Sequence, residues 1–207
     1  MKKITLIGDV HQKYRRYHEI IREKNRHEYT IQIGDFGLSN YDTLDMVDYN
    51  KHRIILGNHD NPDLAKQYPH FNGDYGYAVN FNGFDYFWYR GAYSIDKEWR
   101  TAGYNWFFNE EVNIENFMKA RELYRNIKPA VMITHDCPQD IALQMLEPGQ
   151  RVYENITSWA LQELYNIHQP KLWFYAHWHR SVKIQHGNTQ FVCLNELETY
   201  TLTKDSY

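Results

Sequence analysis

Residues 53–60 read Arg-Ile-Ile-Leu-Gly-Asn-His-Asp, so a short apolar segment passes through one glycine directly into polar side chains. A short apolar run that ends at a turn residue is typical of a buried strand. Polar side chains follow four other apolar segments in the same way, at Asp9 and His11, at Asp35, at His135, and at His177 and His179. Ligands of open α/β sheets bind beyond the carboxyl ends of the strands. If the five strands belong to one sheet, their polar groups therefore meet at one rim.

Helix and strand patterns alternate along the chain and predict a mixed α/β fold. Predicted strands cover residues 3–8, 30–34, 53–57, 130–134 and 172–176, and predicted helices cover residues 14–25, 41–50, 113–125 and 156–167. Two hairpins are also predicted, from segments 76–79 with 84–89 and from segments 182–185 with 190–194. No repeat or Gly/Ser linker divides the chain, so we expect a single domain over residues 1–207.

The composition limits the class of protein. Hydrophobic residues make up 43% and charged residues 24% of the chain, which excludes a disordered or collagen-like protein. Two cysteines are too few for a disulfide framework or a cysteine-rich zinc site. No apolar run approaches the roughly 20 residues of a membrane span, and the apolar stretch that ends at Gly8 is too short for a signal peptide. We therefore expect a cytoplasmic protein with no membrane partner.

The polar groups at the strand ends have the chemistry of metal ligands. Carboxylates and imidazoles without thiolates suit borderline divalent cations such as Mn²⁺, Fe²⁺ or Zn²⁺. Each motif alone has an ordinary explanation, because Asp-x-His pairs arise by chance, residues 57–60 could form a turn, and residues 177–179 could form an exposed edge strand. All of them together, each at a strand end, predict a metal site. The candidate ligands are too many for one tetrahedral ion and enough for two: Asp9, His11, Asp35, Asn58, His135, His177 and His179.

This ordered set of motifs resembles the calcineurin-like metallophosphoesterase superfamily. The pattern of that superfamily is Asp-x-His, Gly-Asp, Gly-Asn-His-Asp/Glu, His and Gly-His-x-His, and it matches this chain from Asp9 to His179. One position departs from it, because Ala176 stands where the family usually has glycine. The resemblance implies a four-layer α/β/β/α sandwich that acts on phosphate esters with two divalent metal ions. Mn²⁺ is the expected ion, with Fe, Zn or Ni as alternatives.

The resemblance also implies a role for each motif residue. Asp9, His11 and His179 would bind the first metal, Asn58, His135 and His177 would bind the second, and Asp35 would bridge both. A hydroxide shared by the two ions would attack the phosphorus. His59 would protonate the leaving oxygen as the general acid, and Asp60 would orient the His59 ring.

The sequence favours a diester over a monoester as the substrate. The Ser/Thr protein phosphatase branch has an arginine in Gly-Asp-x-Val-Asp-Arg-Gly, whereas residues 34–40 read Gly-Asp-Phe-Gly-Leu-Ser-Asn. An arginine at that place would clamp a phosphate dianion, although Arg90 or Arg100 could supply the charge from elsewhere. A phosphomonoesterase or phosphoprotein phosphatase is the first alternative, and a non-catalytic metal-binding scaffold is the second.

Residues 90–110 are similar to a segment of small bacterial and phage members of the superfamily. As a loop near the metals, this segment would shape the substrate pocket. Trp88, Trp99 and Trp106 could instead pack the sandwich, and packing is the favoured interpretation for most of these rings. One or two exposed rings could stack a base, which suits a nucleotide or a nucleic-acid end. The net charge of -3 argues against an extended nucleic-acid track.

Overall fold

The computed structural model describes residues 2–24, 28–37, 44–151 and 153–204, and its strands form two sheets. The first sheet contains β1 (Lys3–Ile7), β2 (Tyr29–Gln32), β3 (His52–Ile54) and β10 (Thr199–Thr203). Its strand order is β10-β1-β2-β3, with β1, β2 and β3 parallel and β10 antiparallel to β1. Most side chains of β1 and β2 are buried, as in parallel strands that are covered on both faces.

The second sheet has two hairpins at its edges and parallel strands in its centre. It contains β4 (Tyr75–Phe81), β5 (Phe84–Tyr89), β6 (Val131–Thr134), β7 (Leu172–Tyr175), β8 (Val182–His186) and β9 (Thr189–Cys193). The strand order is β4-β5-β6-β7-β9-β8. Strands β5, β6, β7 and β9 are parallel, while β4 and β8 pair antiparallel with β5 and β9. Both hairpins that the sequence predicts are thus confirmed.

Helices cover the outer faces of the two sheets. The described helices are α1 (Tyr14–Lys24), α2 (Pro62–Ala65), α3 (Ile114–Ile127), α4 (Gln139–Met145) and α5 (Ile156–Ile167). Helix α1 packs on the first sheet through Tyr17, Ile20 and Ile21, and α3, α4 and α5 pack on the second sheet in another cluster. A third cluster, which includes Leu6 and Phe174, lies between the sheets. The layers are therefore α/β/β/α, as the resemblance implies.

None of the helices in the described ranges combines the length and the apolar character needed to cross a bilayer.

The five motif strands divide between the two sheets, so the condition that they share one sheet is not met. The strands predicted at residues 3–8, 30–34 and 53–57 lie in the first sheet, and those at 130–134 and 172–176 lie in the second. All four residues of β7 are buried, with Trp173 in the cluster beneath the helices and Phe174 in the cluster between the sheets. A strand buried on both faces has the same apolar sequence in either sheet, so its pattern does not show which sheet it joins.

The helix predicted over residues 41–50 is wrong for the part that the structure describes. Residues 41–43, like Asn25 at the end of the first predicted helix, lie outside the described residues. From Leu44 to Lys51 the chain forms turns, in which the N–H of Lys51 donates to the carbonyl of Asp48. The Asp48 carboxylate also accepts the N–H of Asn50 over 2.9 Å. Such side-chain hydrogen bonds compete with a helix and favour a turn.

Candidate metal centre

The loops that follow β1, β2, β3, β6 and β7 bring the predicted ligands together between the ends of the two sheets. Two groups of side chains have ligand atoms that all lie within 4.8 Å of one another: Asp9, His11, Asp35 and His179, and Asp35, His135 and His177. Asn58 adjoins the second group, since its Oδ1 lies 3.2 Å from His135 Nε2. The structure thus makes neighbours of all seven residues, and Asp35 is common to both groups.

The first group directs ring nitrogens and carboxylate oxygens at one point. His11 Nε2 and His179 Nε2 lie 2.8 Å apart, and Asp9 Oδ2 lies 3.1 Å from His179 Nε2. Asp9 Oδ2 is buried, yet no described residue gives it a hydrogen bond of acceptable geometry. A buried carboxylate oxygen without a partner destabilises the fold. A cation at this point would supply the partner, so the first group fits a divalent metal.

The second group lies deeper and fixes the orientation of its histidine. His135 is fully buried, and its Nδ1 donates to the carbonyl of Ile33 over 2.9 Å. Its Nε2 consequently faces the site, 3.2 Å from Asp35 Oδ1. Histidines that bind metals usually give their other ring N–H to a carbonyl or carboxylate. His135 therefore has the arrangement of a metal ligand.

The charges of the centre favour a bound cation. Burial disfavours the protonated form of His135, but the carboxylates of Asp35 and Asp9 outweigh it and raise the pKa of His135 to about 10. Burial also raises the pKa of the Asp35 carboxyl, yet the neighbouring histidines, with His135 foremost, hold that pKa well below its ordinary value. Negative potential that stabilises a buried imidazolium would also stabilise a metal ion.

Two glycines of the motifs have no side chain at places where the candidate metal ligands pack against the backbone. A Cβ at Gly34 would overlap the His135 ring, and a Cβ at Gly57 would overlap both Asp35 and His135. Glycine is thus required before Asp35 and before Asn58 because the loops pass close to His135. Ala176 is fully buried in the cluster between the sheets, where its methyl group has room. The departure from the glycine of the family pattern therefore leaves this strand end intact.

Four of the candidate ligands have a left-handed backbone conformation, which non-glycine residues rarely adopt. The φ angle is 44° at His11, 54° at Asp35, 64° at His177 and 48° at His179. Each such residue costs about 1 kcal/mol or more. Backbone strain of this kind clusters at functional sites. The concentration of four strained residues is therefore typical of a functional centre, and no sequence motif reveals it.

His59 lies at the edge of the centre next to an arginine. Its backbone N–H donates to Asp35 Oδ1 over 2.9 Å, and Arg100 Nη2 lies 2.8 Å from its Nε2. Burial lowers the pKa of His59 to about 4, while Asp35 acts in the opposite direction and Arg100 adds to the decrease. The ring is therefore neutral at pH 7 and accepts a hydrogen bond from the guanidinium.

Asp60 contacts the loop backbone, and within the described part of the chain none of its hydrogen bonds reaches the His59 ring that it is expected to orient. Its buried carboxylate accepts hydrogen bonds from the backbone N–H groups of Gly37 at 2.7 Å, Gly57 at 2.8 Å and Phe36 at 3.3 Å. These bonds tie the loop that carries Asp35 to the loop that carries Asn58. Asp60 therefore sets the spacing of two ligand-bearing loops.

Comparison with known proteins identifies the family. The family model for calcineurin-like phosphoesterases matches residues 2–181. The chain belongs to the calcineurin-like phosphoesterase family. Membership supports a phosphoric ester hydrolase, and the two Asp/His groups of the chain could bind the metals on which this family depends. No curated protein matches the chain.

Solved structures share the calcineurin-like phosphoesterase fold. A Thermotoga maritima protein solved by NMR is 15% identical, with a TM-score of 0.50 over 100% of this chain and 94% of that one. A candidate 5′-nucleotidase from Staphylococcus aureus is 14% identical, with a TM-score of 0.56 over 99% of this chain and 51% of that one. The present chain thus spans about half the length of the Staphylococcus aureus protein. At these identities the likeness shows the fold alone.

A cleft of about 700 Å³ opens from the candidate metal centre. Its walls include Tyr93 and Arg100 from the segment 90–110, and Arg151, Tyr153 and Arg180 from outside that segment. The rings of Tyr93 and Tyr153 are nearly parallel, with an interplanar angle of 26° and centroids 6.5 Å apart. Sequence reasoning missed the last three residues. Arg180 directly follows a motif histidine, which was a usable signal, whereas Arg151 and Tyr153 lie in a loop without a motif.

The other arginine and tryptophans that the sequence singles out near this segment are either packed in the fold or exposed on the surface. Arg90 is buried, and its guanidinium bonds to Asp74 and to backbone carbonyls, so it does not reach the centre. Trp88 and Trp106 are half-buried, as packing predicts. Trp99 is 89% exposed, which shows that the packing interpretation is wrong for this ring.

Proposed function

We propose that the chain is a dinuclear-metal phosphodiesterase formed by a single domain over residues 1–207. The observation that carries the proposal is the position of Asp35, which belongs to both Asp/His groups and also accepts the N–H of His59. A shared carboxylate would set two ions side by side with His59 next to them. We also propose a cytoplasmic location, in which the buried free thiols of Cys137 and Cys193 would stay reduced.

The proposed ligands divide as the family pattern implies. Asp9, His11 and His179 would hold the first ion, Asn58, His135 and His177 would hold the second, and Asp35 is the residue common to both groups. We propose Mn²⁺, with Fe, Zn or Ni as alternatives, because the ligands are carboxylate, imidazole and amide groups without a thiolate. Two divalent ions, when bound, supply the Lewis acidity that neutralises phosphoryl charge and acidifies the attacking water.

His59 protonates the leaving oxygen in the proposed reaction. An alkoxide is a poor leaving group, so a positioned acid contributes typically ~10²–10⁴-fold. Because the pKa of His59 is about 4 beside Arg100, the ring needs the negative charge of a bound phosphate ester to take up its proton. Arg100 donates to His59 Nε2, so its guanidinium has to turn towards the phosphoryl oxygens when the ring is protonated.

A phosphomonoesterase is the second candidate, and the position of Arg100 favours it. The sequence argument for a diester depends on the missing arginine in residues 34–40, of which residues 38–40 lie outside the described part. Arg100 supplies a guanidinium beside His59 from another segment and could pair with the second charge of a monoester. However, Asp96 Oδ1 lies 2.7 Å from Arg100 Nη2 and offsets part of that charge. We therefore keep the diester as the first proposal.

Parallel assays on bis(p-nitrophenyl) phosphate and p-nitrophenyl phosphate separate the candidates. The metal-free protein is reloaded with Mn²⁺, Fe²⁺, Ni²⁺ or Zn²⁺, and kcat/KM is measured for each ester. We expect the diester to have the higher kcat/KM. A preference for the monoester would establish the second candidate. No hydrolysis of either ester with any metal would leave a metal-binding scaffold and contradict an enzyme.

We further propose that the ester is a nucleotide or a nucleic-acid end. Tyr93 and Tyr153 offer aromatic faces on the wall of the cleft, and stacking of one base on such a ring contributes about 1–3 kcal/mol. The net charge of -3 still argues against an extended nucleic-acid track.

The stacking proposal is tested with two esters that share a leaving group. Tyr153→Ala should raise KM for thymidine 5′-(p-nitrophenyl phosphate) roughly 10-fold, as expected for the loss of one stacked base. KM for methyl p-nitrophenyl phosphate should stay the same, because that ester has no base. The control is Tyr104→Ala, which removes an exposed ring that does not line the cleft. Equal changes for both esters would contradict a base-binding role.

A further inference from the structure

A serine beside the centre connects a candidate metal ligand to a buried carboxylate. Ser94 is 1% exposed and lies in the segment after β5. Its backbone N–H donates to Glu110 Oε1 over 3.0 Å, and its Oγ lies 2.5 Å from Glu110 Oε2. The same Oγ lies 2.9 Å from Asn58 Nδ2 and 3.1 Å from Arg100 Nη1. The hydroxyl therefore has three polar neighbours.

The capacity of a serine hydroxyl allows one assignment of these three contacts. A hydroxyl has one proton to donate and two lone pairs that accept. The Arg100 guanidinium only donates, and an ionised Glu110 carboxylate only accepts. Ser94 therefore donates to Glu110 and accepts from Arg100, which leaves one lone pair. That lone pair can accept from the amide nitrogen of Asn58 but cannot bond to its carbonyl oxygen.

The orientation of the Asn58 amide decides whether this side chain can bind a cation. With Nδ2 held by Ser94, the oxygen Oδ1 lies on the side of the centre, 3.2 Å from His135 Nε2. The reversed amide would present a donor to the cation and would set its oxygen against the Ser94 lone pair. The two ends of an amide have nearly the same shape, so the hydrogen-bond network and not the packing chooses between them.

We propose that Ser94 and Glu110 are positioning residues that hold the Asn58 amide with its oxygen towards the second metal. The inference rests on the proposed function, because it concerns the affinity of the proposed metal centre. Since the Ser94 hydroxyl also accepts from Arg100, the same residue links a metal ligand to the arginine beside His59.

A double-mutant cycle on Asn58 and Ser94, with Mn²⁺ binding as the readout, tests the positioning role. Ser94→Ala should weaken the binding of one of the two Mn²⁺ ions about 10–100-fold, which is the usual effect of removing a group that orients a ligand. In the Asn58→Asp background both ends of the side chain are oxygens, so orientation no longer matters. Ser94→Ala should therefore not weaken Mn²⁺ binding in that background. A merely structural role would weaken Mn²⁺ binding in both backgrounds.

Glu110→Gln provides a second variant with the same expectation. Its amide can donate to Ser94 Oγ, which frees the hydroxyl proton to point at Asn58 and favours the reversed amide. The matched control is Ser158→Ala, another buried serine on the cleft wall, which should bind both ions as the natural chain does. Binding is measured by isothermal titration calorimetry on metal-free protein, and circular dichroism checks that each variant is folded.

The outcomes separate failure of the inference from failure of the proposed function. A natural chain that binds no Mn²⁺ would overturn the proposed metal centre itself. A natural chain that binds two ions, together with a Ser94→Ala variant that binds both unchanged, would overturn only the positioning role. Equal losses in the Asn58 and Asn58→Asp backgrounds would also overturn the positioning role.

Discussion

At the residue scale, several candidate ligands have an unfavourable backbone conformation or a buried atom without a hydrogen bond. His11, Asp35, His177 and His179 combine a positive φ with a place in the two Asp/His groups. Asp9 adds a buried oxygen without a hydrogen-bond partner among the described residues. Each of these features lowers the stability of the native protein. A bound cation would offset part of that loss, which is why strain and ligand positions coincide.

The strain at His11 can be measured by comparing two substitutions that both remove the ring. His11→Gly should have a free energy of unfolding about 1 kcal/mol higher than His11→Ala, because glycine tolerates a positive φ. Urea unfolding in EDTA is the measurement. At Glu19, an exposed residue in the middle of α1, glycine should instead be less stable than alanine, since glycine is about 1 kcal/mol worse in a helix interior. Equal stabilities of the two His11 variants would show that this backbone is not strained.

Substitutions of His59 and Asp35 should distinguish a loss of catalysis from a loss of metal binding. His59→Ala should keep both Mn²⁺ ions in calorimetry and lose ~10²–10⁴-fold in kcat on an alkyl ester. The loss should be smaller on a p-nitrophenyl ester, because p-nitrophenolate leaves without a proton. Asp35→Ala should lose both metal binding and turnover. Full activity of His59→Ala on the alkyl ester would exclude His59 as the general acid.

At the scale of secondary-structure elements, short loops after parallel strands place the ligands, and Asp60 connects two of these loops. Strands β2 and β3 are adjacent and parallel, so the loops that follow them leave the sheet side by side. Asp60 accepts backbone N–H groups from both loops, and Gly57 gives the close approach to His135. Residues 57–60 thus form one structural unit. Gly57 allows the close approach to His135, Asn58 is a candidate ligand, His59 is the candidate acid, and Asp60 connects the two loops.

Gly57→Ala should disturb this unit without removing any ligand. The added Cβ would overlap Asp35 and His135, and overpacking of this kind costs about 1–3 kcal/mol. We expect a lower free energy of unfolding and weaker Mn²⁺ binding. Gly73→Ala is the matched control, because a Cβ there meets nothing within 4 Å. Urea unfolding and calorimetry are the measurements, and identical results for the two variants would contradict the crowding argument.

At the scale of the whole molecule, the proposed metals would link the two sheets. Asp9, Asp35 and Asn58 follow strands of the first sheet, whereas His135 and His177 follow strands of the second. Asp35 and His135 belong to one group of candidate ligands, so an ion bound there is held from both layers. Unfolding separates the layers, and the metal therefore binds the native state in preference to the unfolded one.

Removal of metal should lower the melting temperature. One ion at 100 times its Kd stabilises the native state by about 2.7 kcal/mol, which corresponds to roughly 5–10 °C for a domain of this size. Differential scanning calorimetry in EDTA and in Mn²⁺ measures the shift. His179→Ala should reduce the shift, while His186→Ala, in the hairpin strand β8, should leave it unchanged. The same melting temperature with and without Mn²⁺ would argue against a metal that joins the layers.

Local patterns predicted a mixed α/β fold and proposed the seven candidate ligands, because each ligand lies within a few residues of an apolar strand. The family and its α/β/β/α layers came from the resemblance that the ordered motifs carry. The strand β10 was not predicted, since only Leu202 of its five residues is buried and its pattern is weak. The turns at residues 44–50 were also not predicted. There the Asp48 carboxylate accepts the N–H of Asn50, and this hydrogen bond favours a turn over a helix.

Contacts between distant segments decided the rest. Only the tertiary structure shows that the motif strands divide between two sheets, that Asp60 anchors loops, and that Arg100 lies against a histidine 41 residues away in sequence. A strand buried on both faces has the same apolar sequence in either sheet. The positive φ at His11 and Asp35 is likewise imposed by the surrounding fold, since their residue types tolerate this conformation only where other contacts hold it.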